Sequence, residues 1–184
     1  MSISTVDESG AYHINDIIPP DEFVDHVNDS VYTNYVASAA LRIAADAAQL
    51  LNVTSDATAA YRAVADSLVL LFDPAQGIHP EYAGYAGDTV KQADTILLSY
   101  PLGLALSDDV HRADLDYYAS RTALDGPAMT WGMFSIGYLD LGEFDLAASY
   151  FNQSFANVKT PFQVWSETVS NNFATSFIIP YDII

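Results

Sequence analysis

The stretch VYTNYVASAALRIAADAAQLL, residues 31–51, decides the fold class. Its apolar residues recur at three and four positions rather than two, and alanine and leucine give it high helix propensity, so it reads as one long helix stopped by Asn52. The same period continues outward. A second helix is predicted over 56–72, ended by the Asp73-Pro74 step. The Gly- and Pro-rich loop PAQGIHPEYAGYAGD leads to a third over 89–99, which stops before Pro101. A fourth covers 108–121, with Ser107 as N-cap and Asp108 and Asp109 at its positive end. Pro127 opens a fifth that runs to about 141, where DLGEFD turns the chain into a sixth. No strand is predicted. The expectation is an all-α chain of about six helices in near-antiparallel pairs.

Composition narrows the function. The 184 residues are 51% hydrophobic, enough for one sizeable core. Six basic against 24 acidic residues give a net charge of -18, which opposes nucleic acid and anionic membrane as partners. There is no cysteine, hence neither a disulfide nor a thiolate site. The opening MSISTVDESG lacks the basic and apolar regions of a signal peptide, and no apolar run approaches the roughly 18 residues that span a bilayer. Asn28, Asn52 and Asn152 begin glycosylation sequons that matter only in a secretory setting.

Each arginine has an aspartate four residues later: Arg42 with Asp46, Arg62 with Asp66, Arg112 with Asp116 and Arg121 with Asp125. These are expected as surface pairs within one helix, in the order less favourable to the helix dipole. Lys91 in DTVKQAD is a cation at a predicted helix start, with Asp88 and Asp94 near enough in sequence to neutralise it. The neighbouring HPEYAGY is an aromatic loop that suits either a sugar site or packing. His79 and Glu81 lack a second histidine at helical spacing, so no metal site is expected. A helical-repeat scaffold that binds partners without chemistry fits the same helix pattern, but no period of about 34 residues recurs.

In order along the chain, PPDEF, VNDSVYTN, HPEYAGY, VKQADTILLSYPL, GPAMTWGMFSIGYLDLG and SFANVKTPFQVWSE resemble glycoside hydrolase family 65, in the branch of acid trehalase and protein-glucosylgalactosylhydroxylysine glucosidase, over about residues 14–175. The resemblance implies an inverting α-glucoside hydrolase of carbohydrate metabolism, acting on trehalose or a glucosyl-galactosyl group without a cofactor, in an extracellular or vacuolar setting. It places the general acid at Glu22, with Asp21 as its supporting neighbour, and the general base at Glu167. Lys91 and Gln92 correspond to the pair that binds the glucosyl unit, and Trp131 and Trp165 are candidates for lining the pocket or for plain core packing. Val24 stands where the family usually has histidine.

As an acid, Glu22 has to be protonated, so it is expected to lie among apolar neighbours such as Ile17, Ile18 and Phe23, which would raise its pKa. Inversion calls for carboxyls about 6.5–9.5 Å apart. The family's catalytic domain is an (α/α)6 toroid of twelve helices, so six imply a half barrel: residues 1–184 as a fragment of the central catalytic domain, with a tail that diverges from about 176. Such a fragment is expected to be weakly active or inactive alone and to self-associate through exposed apolar helix faces. The other readings are a disaccharide phosphorylase, which would use phosphate in place of the base, and a non-catalytic helical remnant.

Overall fold

The computed structural model describes residues 4–168, so the divergent tail falls outside the described residues. Two compact units are present, and each is described by itself.

The first unit begins with a hairpin, β1 (Ser4–Val6) antiparallel to β2 (Tyr12–Ile14), in the register Ser4 to Ile14 and Val6 to Tyr12. Its turn is built locally, with Asp7 Oδ1 accepting from the Ser9 and Ala11 N–H groups at 2.8 and 3.0 Å. The expectation of no strand is thus corrected; three-residue strands are too short to show alternation. Helix α1 (Val31–Leu50) is capped by Ser30, whose side chain accepts from Thr33 N, and Asn52 stops it in the left-handed region at φ 53°. Helix α2 (Asp56–Ser67) opens with a reciprocal capping box between Ser55 and Thr58. It ends five residues before the predicted 72 because the following backbone is claimed elsewhere. Val69 N donates to Tyr12 O at 3.0 Å, and Val69 O accepts from Asn34 Nδ2 at 2.8 Å. The helices pack closely through small residues, Ser38 Oγ donating to Ala65 O at 2.8 Å.

The arginines of this unit do not pair within their helices. Arg42 meets Asp66 at 2.6 Å and Arg62 meets Asp46, so the two predicted pairs exchange partners between α1 and α2. In the second unit Arg112 takes Glu143 at 2.5 Å instead of Asp116, and Arg121 lies over the Tyr117 ring at 3.6 Å.

The second unit holds α3 (Asp108–Ala119), α4 (Met129–Asp140) and α5 (Phe144–Gln153). Ser107 caps α3 as expected, α4 lies within two residues of the predicted bounds, and α5 follows the predicted turn. Helix α4 is the core element, with Trp131, Phe134, Ile136 and Tyr138 all buried, and its Ser135 Oγ donates to Ala147 O of α5 at 2.8 Å. The predicted helix over 89–99 is corrected to a single 3-10 turn, Thr95–Leu98. The backbone ahead of it cannot coil because its donors are spent at a distance: Val90 N on Arg121 O, Lys91 N on Asp21 Oδ1, Ala93 N on Thr130 Oγ1.

Candidate active site

The diverted backbone at 90–93 builds a cluster of polar contacts in the second unit. Segment 20–23 and segment 91–94 are fastened by three crossed hydrogen bonds. Asp21 Oδ1 accepts from Lys91 N at 2.7 Å, Asp94 Oδ2 accepts from Asp21 N at 3.0 Å, and Gln92 Nε2 donates to Pro20 O at 2.7 Å. The stiff Pro19-Pro20 step presents this backbone, and Asp21 Oδ1 closes the turn by accepting from Phe23 N at 3.1 Å. The fastening brings the Lys91 ammonium against the Glu22 carboxylate as an ion pair.

Four of the predicted site residues, Asp21, Glu22, Lys91 and Gln92, therefore meet in space. Their environments differ sharply. Asp21 is buried, 1% exposed, whereas the Glu22 side chain is 60% exposed. The expected burial of Glu22 is corrected, since Ile18 and Phe23 are themselves exposed and offer it no cover. The Lys91 ammonium, by hydrogen bond and by charge, holds Glu22 below the usual carboxylate range, and Gln92 adds to this. Burial pushes Asp21 the other way, above that range, against the two backbone N–H groups that favour its charge.

Asp94 does not neutralise Lys91, as its place in the sequence suggested. It lies 2% exposed at the head of the 3-10 turn, and burial raises its pKa to about 7, with the Asp21 charge contributing in the same direction. Among the described residues, Asp21 Oδ2, Gln92 Oε1 and Asp94 Oδ1 are buried atoms without a hydrogen-bond partner.

Glu167 is anchored through its backbone. Its carbonyl accepts from Ala128 N at 2.7 Å and from Asn157 Nδ2 at 2.9 Å. Ala128 heads α4, and Thr130 in the first turn of that helix takes the Ala93 N–H at 3.1 Å. One helix start thus holds the backbone of both the Lys91 segment and the Glu167 segment. Trp131 is buried against Phe134 and Tyr150, with ring centroids at 5.7 and 6.0 Å, and the part-buried Trp165 donates from Nε1 to Ser154 O at 2.7 Å. His79 packs its ring against Phe72 at 5.1 Å, and the Glu81 carbonyl accepts from Val31 N at 2.9 Å. Sequence reasoning missed Asp94 and Thr130 as parts of this site; the only signal was the position of Asp94 three residues after Lys91.

The fold has a counterpart among solved structures. A solved structure from the human microbiome, assigned as a kojibiose phosphorylase, superposes with a TM-score of 0.67 over 82% of this chain and 28% of its own, at 19% identity. Residues 1–89 match the glycosyl hydrolase family 65 central catalytic domain, and the family resemblance read from the motifs is borne out. The chain is 43% identical to protein-glucosylgalactosylhydroxylysine glucosidase of Danio rerio over 91% of its length and 25% of that protein's. It is 37% identical to kojibiose hydrolase of Mucilaginibacter mallensis, covering 86% of this chain and 23% of that one. With acid trehalase of Emericella nidulans it shares 31% identity over 92% of this chain and 16% of the relative. The chain spans about a quarter of the length of the curated glucosidases it matches.

Proposed function

We propose that the chain acts as an inverting α-glucoside hydrolase, its helices forming part of an (α/α)6 toroid, with Glu22 as general acid, Glu167 as general base, and Lys91 and Gln92 on the glucosyl unit. The observation that carries this reading is the Glu22–Lys91 pair set on buried, crossed hydrogen bonds. Without substrate, Lys91 keeps Glu22 ionised. A glucosyl hydroxyl that takes the ammonium for itself removes that charge from Glu22, and the sugar ring shields the carboxyl from water. Both changes raise its pKa and let it take up a proton. The acid then gives this proton to the glycosidic oxygen as the bond to the anomeric carbon breaks, while Glu167 removes a proton from water attacking the opposite face.

The test is release of glucose from kojibiose, trehalose and an aryl α-glucoside with a good leaving group, followed by the NMR signals of the anomeric protons. Glucose appearing first as the β anomer, faster at lower pH, supports the reading. Glu22→Gln should lower the rate on kojibiose by about 10²–10⁴-fold, and far less on the aryl glucoside, whose leaving group needs no proton. Glu167→Gln should slow all three. A requirement for phosphate, with a sugar phosphate as product, would mean a phosphorylase, and the absence of any product would mean a helical protein that has kept the sequence without the chemistry.

A further inference from the structure

We propose that Asp94 is a positioning residue, which sets Glu22 opposite Lys91 by holding the Asp21 backbone. An aspartate at the head of a helical turn ordinarily turns its carboxylate back to cap that turn. Asp94 does not: no side-chain cap bond is made to the Thr95–Leu98 turn, and Oδ2 instead accepts from Asp21 N, 73 residues away in sequence. Asp21 repeats the arrangement in reverse by taking Lys91 N on Oδ1. Each carboxyl thus holds the backbone beside the other's charged neighbour: Asp94 fixes the residue before Glu22, and Asp21 fixes Lys91 itself. The register of the ion pair follows from these two bonds, because the peptides on either side of it are tied and only the two side chains remain free to move.

The cost of this arrangement argues for a role. Two carboxyls are withdrawn from water, and each keeps one buried oxygen, Asp21 Oδ2 and Asp94 Oδ1, without a hydrogen-bond partner among the described residues. A serine or asparagine would accept the same N–H without taking a carboxyl charge out of water. The charged groups that act on the pair are each other, Lys91 and Glu22. Burial, with the Asp21 charge adding in the same direction, raises the Asp94 pKa to about 7, against the hydrogen bond from Asp21 N. A proton on the pair avoids two like charges in one dry site.

The role in catalysis rests on the proposed function; the positioning itself is measured without substrate. In isotope-labelled chain, the Asp94 carboxyl and the Asp21 amide are expected to titrate together near neutrality, with Glu22 titrating below the ordinary carboxylate range. Asp94→Asn keeps an acceptor for Asp21 N, so the shared step disappears from the Asp21 amide while Glu22 stays low. Asp94→Ala removes the acceptor, and Glu22 rises toward its ordinary value. An Asp21 amide that stays still through the Asp94 titration, or a folded Asp94→Ala chain in which Glu22 is unmoved, overturns the proposal. Should the alanine variant fail to fold, the unsubstituted chain and Asp94→Asn decide the matter. Titrations as expected without glucose release would leave the positioning intact and sink the enzymatic reading alone.

Discussion

The α1–α2 pair and the 20–23/91–94 clasp both use acidic residues to join segments distant in sequence, but they use them oppositely. On α1 and α2 the carboxylates are at the surface, each matched to an arginine, with Asp66 and Asp46 more than half exposed. In the clasp the carboxyls of Asp21 and Asp94 are buried, and they take backbone N–H groups in place of cations. Surface pairing costs little and contributes little. Burial of an acid costs much and is kept only where its hydrogen bonds hold something in place. The difference separates a region built to stay folded and soluble from one built to hold a geometry.

The largest effect that would break this comparison is the pH dependence of stability. The Asp94 pKa is raised in the folded chain to about 7, so between its ordinary value near 4 and 7 the folded state binds a proton that the unfolded state has released. Stability therefore falls as pH rises through that window and is level above it, by about 4 kcal/mol. Denaturant unfolding at several pH values, with Asp94→Asn as control, should show the fall in the parent and its loss in the variant. A curve of the same shape in both would place the buried charge elsewhere.

Next comes Gly126→Ala. A Cβ at Gly126 would lie 2.2 Å from Lys91 O and 3.1 Å from Ala123 O, both backbone atoms that cannot swing aside. Destabilisation of about 3 kcal/mol is expected, with Lys91 shifted away from Glu22. Gly137→Ala meets the tip of the Leu115 side chain at 2.7 Å and should cost less, about 1–2 kcal/mol. Equal losses in thermal unfolding would show that the clasp is no more rigid than the core.

How far the sequence could be read follows from the range of the interactions. The start of α3 was legible because Ser107 acts on an N–H group only three residues away, and Ser30 and Ser55, which the sequence reading passed over, cap α1 and α2 over the same short range. The meeting of Asp21, Glu22, Lys91 and Gln92 was legible only through the family motifs, since no period or cap relates positions 70 residues apart. The failed helix over 89–99 has the same origin, because what stops it is an Asp21 carboxylate and a Thr130 hydroxyl that local propensity cannot see. The exposure of Glu22 was missed for another reason. Two prolines announce a stiff turn, but stiffness says nothing about whether the next side chain faces protein or water.

The smallest effect tests the surface half of the contrast. Spacing four residues apart favoured Arg42 with Asp46, yet Arg42 meets Asp66 across the helix pair. A double-mutant cycle on Arg42 and Asp66 should give a coupling of about 0.2–1 kcal/mol that fades with added salt, and the cycle on Arg42 and Asp46 should give none. The salt dependence carries the argument, because an exposed pair is screened by mobile ions and the buried bond from Asp21 N to Asp94 is not. If instead the Arg42–Asp66 coupling were large and indifferent to salt, the surface pairs would be fixing geometry as the clasp does, and burial would no longer mark which acids of this chain do so.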